Sequence, residues 1–160
     1  MEIKEATERN ISDLVELIRK SFANVAQQLE LNERDHPRCA SFYTEDRMTD
    51  DFANSIRYYI LMHNNKPIGC VAMEIPNEDF CYLMRLAVIP EYRKQGLREK
   101  LVGHIFKRAR QAGLKQVQIG IVANADRLKK WYENFGFVQF KTQRFDHLPF
   151  LVAFMSKDIG

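Results

Sequence analysis

The sequence lacks the features that mark several large classes of protein. Its 160 residues include only three cysteines, an odd number, so Cys39, Cys70 and Cys81 are expected to be reduced thiols and not a disulfide scaffold or a metal site. The first twenty residues mix charged and apolar positions without an apolar run, which argues against a secretory signal or membrane span and favours the cytoplasm. We find no repeat, low-complexity tract or interdomain linker. These absences predict one ordinary globular domain over residues 1–160, with a core of its own.

The net positive charge is small overall, but basic residues are concentrated in one segment. The formal net charge is only +3, yet residues 93–115 hold eight basic residues and one acid, Glu99. A nucleic-acid surface is one interpretation of such a segment. No recognised nucleic-acid module accompanies it, and the basic residues share a predicted helix with an apolar stripe, so no nucleic-acid partner is expected.

The hydrophobic periodicity predicts an α/β fold with a mixed sheet, in the order β-α-(α)-β-β-β-α-β-α-β-β, with helices on both faces of the sheet. Within it, the strand beginning at Phe80 should end near Pro90, which has no N–H to donate to a neighbouring strand. A regular alternation of two faces is expected along this strand. The crossover from Phe80 to Val122 should make its two strands parallel neighbours.

Capping residues predict where the helices begin and end. Asn10 is expected to cap the first helix, Thr49 to start the short second one and Asn124 to cap the last. The long third helix begins at Leu97 and should stop at Gly113. An apolar stripe on that helix predicts its core face, and its members are Leu97, Leu101, Val102, Ile105, Phe106 and Ala109.

A basic, glycine-bearing loop precedes this third helix. Residues 93–98 read RKQGLR and place cations and backbone N–H groups at the start of the helix, where the first N–H groups have no helical acceptor. Such a loop suits a phosphate group. The two best-known phosphate loops, GxxxxGK[ST] and GxGxxG, are both absent from the sequence.

Two stretches resemble a different phosphate-binding family. Residues 86–96, LAVIPEYRKQG, resemble the strand and R/Q-x-x-G-x-G/A loop of the GNAT acetyltransferase superfamily, and residues 131–137, WYENFGF, resemble its second signature. The predicted order of elements is also that of the family. Two positions depart from the pattern, since Arg98 replaces the last glycine or alanine and Ala125 stands where the family often has asparagine.

The resemblance implies an N-acetyltransferase that uses acetyl-coenzyme A as co-substrate, with no metal, and a primary amine as acceptor. It implies that the strand binds the pantetheine arm through its backbone and that the loop binds the phosphates. The matching residues are Leu86, Ala87 and Val88 on the strand, Arg93, Lys94, Gln95, Gly96, Leu97 and Arg98 in the loop, and Asn124, displaced by one from the family's asparagine.

The same resemblance implies catalytic roles. Tyr132 occupies the position of the family's general acid, which protonates the departing thiolate. Many relatives have a glutamate base where this chain has Met84. Glu74 on the neighbouring strand is therefore the first candidate for the base, with bulk water as an alternative. The other candidates are Glu33, Asp35, His36, Glu45 and His147.

The sequence specifies the acceptor amine less closely than it specifies the acetyl donor. Residues 24–51 are expected to line its side of the cleft, and residues 30–51 hold seven acids against three basic residues, which favours a small cationic amine. A protein lysine or N-terminal amine remains an alternative acceptor, and a coenzyme A-binding regulatory module without catalysis is a third reading. The chain is expected to be a monomer or a homodimer.

Overall fold

The computed structural model of the protein describes residues 1–28, 32–34 and 39–160, and a single mixed sheet carries the fold. Within these residues the strands and helices follow in the predicted order, which is confirmed. Their bounds are β1 (Glu2–Glu5), α1 (Ile11–Gln28), α2 (Glu45–Ala53), β2 (Arg57–His63), β3 (Lys66–Glu74), β4 (Phe80–Val88), α3 (Leu97–Gln111), β5 (Gln116–Val122), α4 (Asp126–Glu133), β6 (Val138–Arg144) and β7 (Leu151–Asp158).

The sheet has seven strands in the order β1-β2-β3-β4-β5-β7-β6. All neighbours are antiparallel except β4 and β5, which are parallel as the crossover through α3 predicted. β7 lies between β5 and β6, so the last strand of the chain is internal and β6 forms an edge. None of the helices in the described parts of the chain is both long and apolar enough to span a bilayer.

Helices cover both faces of the sheet, as consecutive residues of β2 show. The hydroxyl of Tyr58 lies 3.2 Å from that of Tyr43, and its ring contacts Phe52 of α2. The next residue, Tyr59, points the other way and packs against His104 of α3, with ring centroids 4.6 Å apart. The predicted α3 stripe is confirmed, since all six members are buried. Gly113 follows α3 with φ +75°, as its predicted stop requires.

The predicted start of α2 at Thr49 is wrong. The helix begins at Glu45, and the Thr44 side chain caps it by accepting a hydrogen bond from the backbone N–H of Arg47, 3.1 Å away. Thr49 lies inside the helix, where its hydroxyl donates to the Glu45 carbonyl at 2.9 Å. Both threonines precede acidic residues that suit a first helical turn, so local chemistry alone did not separate them.

Two other predicted caps differ from the structure. Thr7, not Asn10, is the capping residue of the turn that leads into α1, and the Asn10 side chain accepts from the Thr7 N–H at 2.9 Å to complete a capping box. Asn124 does not cap α4, because Ala125 stands at the capping position and no side chain fills that role.

Candidate active site

β4 and β5 pair only at one end. Phe80 to Tyr82 are in register with Gln116 to Gln118, and beyond that point the two strands diverge. Backbone groups of β4 that face β5 past Tyr82 therefore lack a strand partner on that side. Two adjoining cavities, which share four lining residues, lie at the divergence.

A bulge in β4 stands beside this divergence. Cys70 is opposite Ala87 and Ala72 is opposite Met84, so the pairing with β3 shifts by one residue between them. Arg85 occupies the bulge with φ +52°, a conformation that non-glycine residues rarely adopt. The regular alternation predicted along β4 is therefore wrong beyond Met84, although the strand does end before Pro90 as predicted.

The first cavity, of about 580 Å³, lies between β4, the basic loop and the start of α3. Its wall includes eight of the ten residues that the sequence assigned to the cofactor, namely Leu86, Ala87, Val88, Arg93, Lys94, Gly96, Leu97 and Arg98. Gln95 is exposed in the loop, and Asn124 is exposed in the turn before α4, and neither lines this cavity.

The loop has a conformation suited to binding an anion. Lys94 and Gly96 have φ values of +64° and +76°, so the chain turns sharply into α3. The first N–H groups of α3 then open toward the first cavity without helical acceptors, and the partial positive charge of the helix end adds to that of Lys94. The arrangement can hold a phosphate or diphosphate group.

The Arg93 side chain forms hydrogen bonds within the protein. Its guanidinium donates to the Val88 carbonyl at 3.2 Å and to the Ser21 carbonyl at 2.9 Å. An ion pair of 3.1 Å between Lys20 and Glu91 lies at the same junction. These contacts connect the loop to α1 across 72 residues of sequence, a role that the sequence did not reveal.

The second cavity, of about 470 Å³, lies on the other side of the divergence and brings the two predicted catalytic residues together. Glu74 comes from the end of β3, and Tyr132 comes from α4. Met84 also lines this cavity, so no carboxylate stands at the position where many relatives have one.

Tyr132 is held rigidly and kept protonated. It is only 5% exposed, and its ring contacts those of Trp131 and Phe137 at centroid distances of 4.9 and 5.5 Å. Burial raises the pKa of Tyr132 to about 12, while the charge of nearby Arg98 opposes that rise. The phenol is therefore a proton donor at neutral pH.

Four side chains that the sequence did not single out form a polar cluster behind the second cavity. The Asp51 carboxylate accepts hydrogen bonds from the hydroxyls of Tyr43 and Tyr58, the latter at 2.7 Å. The Arg85 guanidinium lies over the Tyr43 ring, 5.3 Å from its centroid. Burial raises the pKa of both tyrosines, so they act as hydrogen-bond donors to Asp51. The cluster fixes α2 to β2 and to the bulge of β4.

The other candidates for the base are not brought to the site. Glu33, Glu45 and His147 are exposed and line neither cavity, and Asp35 and His36 lie outside the described residues. The acids in the described part of the segment 30–51 also stay out of the second cavity. They therefore do not support the predicted preference for a cationic acceptor.

The diverging parallel strands and the anion-binding loop together define the fold of an acetyltransferase that uses an acyl-coenzyme A. The model of the Acetyltransferase (GNAT) family matches residues 16–137, so the chain belongs to this family. The resemblance seen in the two sequence signatures is thereby confirmed.

Solved structures share this fold. The ribosomal-protein-S18-alanine N-acetyltransferase from Escherichia coli superposes with a TM-score of 0.78 at 15% identity, over 99% of this chain and 93% of its own. The PaiA N-acetyltransferase from Thermoplasma acidophilum, in complex with coenzyme A, gives 0.78 at 18% identity over 99% of each chain. A GNAT family acetyltransferase from Elizabethkingia anophelis with acetyl-CoA bound gives 0.60 at 16% identity, over 70% and 82%. The architecture is conserved at these low identities.

Proposed function

We propose that this protein transfers the acetyl group of acetyl-coenzyme A to the primary amine of a small cationic molecule, by direct attack in a ternary complex. The observation that carries the proposal is the pair of adjoining cavities at the divergence of β4 and β5. One is suited to the coenzyme and the other holds Tyr132 and Glu74. Solved relatives of the same fold that contain acetyl-CoA or coenzyme A support the choice of donor.

In this proposal, the first cavity binds the coenzyme. The unpaired backbone groups of residues 86–88 hydrogen-bond the pantetheine arm, replacing the strand partner that β4 lacks there. The diphosphate accepts hydrogen bonds from the N–H groups at the start of α3. Lys94, an exposed cation of the loop that lines the same cavity, contributes positive charge. Arg93 contributes indirectly, by holding the loop against α1.

The chemistry requires three groups. An acceptor amine has an unperturbed pKa near 10 and must lose a proton before it attacks, which we assign to Glu74, directly or through water. A backbone N–H of β4 near Leu86 stabilises the oxyanion that forms on the carbonyl. The C–S bond then breaks, its electron pair passes to sulfur, and the Tyr132 phenol supplies a proton.

A small acceptor is favoured by the size of the second cavity and by the apolar strand residues that line much of it. Glu74 is the carboxylate in that lining, beside the guanidinium groups of Arg85 and Arg98, and we expect it to receive the ammonium group of the acceptor. A protein N-terminal amine is the second candidate, because the Escherichia coli neighbour is a ribosomal-protein-S18-alanine N-acetyltransferase. We place the activity in the cytoplasm, which suits the free thiols of Cys39, Cys70 and Cys81.

A thiol-release assay tests the proposal. The full chain is incubated with acetyl-coenzyme A and a panel of polyamines, aminoglycosides and amino acids beside lysine and N-terminal peptides, and free thiol is followed over time. We expect turnover with a small amine at least tenfold above every peptide, and loss of that turnover in Glu74→Gln. Faster turnover with a peptide overturns the choice of acceptor. Failure to bind coenzyme A at millimolar concentration by calorimetry overturns the proposed function itself.

A further inference from the structure

The two cavities adjoin at a junction, defined by the residues that line both, and this junction contains one charged side chain. Four residues line both cavities, and three of them, Phe22, Leu86 and Leu128, are apolar. The fourth is Arg98. A group that is transferred from a molecule in one cavity to a molecule in the other passes this junction. Arg98 therefore lies beside the group that is transferred.

Arg98 occupies a position where a cation is electrostatically disfavoured. It is the second residue of α3, at the helix end that carries partial positive charge. No carboxylate among the described residues lies within 4.0 Å of it to form an ion pair. Its guanidinium lies 4.3 Å from the ring centroid of Trp131, and the adjacent Glu99 accepts a hydrogen bond from the Trp131 indole at 3.0 Å.

The aromatic ring therefore holds the guanidinium in place without neutralising it. On its other side Arg98 acts on the Tyr132 phenol, whose pKa it lowers against the effect of burial. A positioned cation and a protonated phenol thus converge on the junction. A cation that is oriented but not paired suits an anion that appears only during the reaction.

We propose that Arg98 is a catalytic residue that, together with Tyr132, binds the sulfur of coenzyme A as it leaves as a thiolate. This inference rests on the proposed function and deepens it. As the amine nitrogen forms its bond to the carbonyl carbon, the C–S bond breaks and its electron pair stays on sulfur. Arg98 donates a hydrogen bond to that sulfur, and Tyr132 passes its proton to it. The proton lost by the amine returns to the phenol through solvent.

The competing role for Arg98 is a contact with the diphosphate, as the loop position alone suggests. The two roles place the guanidinium at opposite ends of the pantetheine arm, so they differ in what they do to the thiol. Of these two roles, only the contact with sulfur lowers the pKa of the bound thiol strongly, because the pantetheine arm separates the diphosphate from the sulfur. The other ionisable groups that line the two cavities and bear on this ionisation are Glu74, Tyr82, Arg85, Tyr92, Arg93, Lys94, Glu99 and Tyr132.

The test measures the pKa of the coenzyme A thiol when it is bound to the protein, which requires no acceptor. Thiolate absorbance near 235 nm is followed against pH for the complex, and the complex with desulfo-coenzyme A is subtracted to remove tyrosine absorbance. In the wild type we expect the bound thiol to ionise about one pH unit below free coenzyme A, a roughly tenfold preference for the thiolate. Arg98→Gln should abolish that shift, and Arg98→Lys should retain part of it.

Matched affinity measurements separate the two roles. Arg98→Gln should bind desulfo-coenzyme A within about threefold of the wild type, whereas Lys94→Gln, at the proposed diphosphate contact, should weaken desulfo-coenzyme A and coenzyme A equally. An unchanged thiol pKa in Arg98→Gln, or an equal loss for both ligands in that variant, overturns the inference. If Arg98→Gln does not fold, Arg98→Met, which also removes the charge, decides on the same criteria. Absence of coenzyme A binding by the wild type instead counts against the proposed function.

Discussion

The guanidinium of Arg93 offers a sharp test of how the loop is held. It donates to the carbonyls of Val88 and Ser21, and so connects β4, the loop and α1. If this connection is its main role, Arg93→Ala destabilises the folded protein even when coenzyme A is absent. If its main role is to provide charge for phosphate, the ligand-free protein should tolerate the substitution.

The magnitude follows from two hydrogen bonds with a charged donor. Hydrogen bonds with a charged partner contribute about 1.5–3 kcal/mol each, but Arg93 is only partly buried, so about 1 kcal/mol each is appropriate. Arg93→Ala should therefore lower the free energy of unfolding by about 2 kcal/mol. For a chain of this length, that corresponds to a decrease in Tm of about 4–8 °C. Arg93→Lys should recover half of the loss at most, because an ammonium group lacks the planar fork that reaches both carbonyls.

Urea unfolding of the ligand-free protein measures this effect, with the fluorescence of Trp131, the sole tryptophan, as the signal. Lys94→Gln is the matched control, since it removes a neighbouring exposed charge and should change the free energy of unfolding by less than about 0.5 kcal/mol. Equal urea midpoints for the wild type and Arg93→Ala would refute the reasoning. Full stability of Arg93→Lys would show that charge alone is sufficient.

Three further predictions concern single positions. Tyr132→Phe should lower kcat about 100-fold with little change in the KM for acetyl-coenzyme A, and an unchanged kcat in steady-state assays removes Tyr132 from the mechanism. Gly69→Ala should destabilise by about 1–3 kcal/mol, because an added Cβ would lie 3.0 Å from the Ala87 carbonyl oxygen. Gly103→Ala on the open face of α3 is its control and should stabilise by about 0.5–1 kcal/mol, both read from thermal unfolding. Burial lowers the pKa of His104 in the folded protein. As the pH falls below about 6.5, the unfolded chain therefore binds a proton at this histidine before the folded chain does. The free energy of unfolding should decrease over this pH range. His104→Gln should flatten this decrease in urea midpoints at pH 5 and 7.5, and an unaltered slope contradicts the assignment.

Features governed by near neighbours in the chain were predictable. The apolar stripe of α3, the stop at Gly113 and the end of β4 before Pro90 depend on helical spacing, on a left-handed backbone conformation and on a missing N–H. The two sequence signatures belong to this group as well, because each is a short stretch on one element. Tyr132 was chosen from such a stretch and Glu74 from its place on the neighbouring strand, and both line one cavity.

Features governed by contacts between distant segments could not be predicted from the sequence. The start of α2 at Glu45 was missed because Thr44 and Thr49 both resemble a cap locally. The bulge at Arg85 was missed because a regular alternation of side chains describes the residues on either side of it equally well. The cluster that contains Asp51 unites three elements, and no periodicity in the sequence marks it.

The amino-acid sequence by itself determined the order of the elements, the core face of α3 and the family, because periodicity, chain-breaking residues and a loop motif act over a few residues. The tertiary structure alone decided what the cations of the loop do. Arg93 is directed to the carbonyl of Ser21 and Arg98 to the junction of the two cavities, although both belong to one six-residue motif. The direction of a long charged side chain depends on which distant carbonyls and rings the folded chain places around it, and that information is not local.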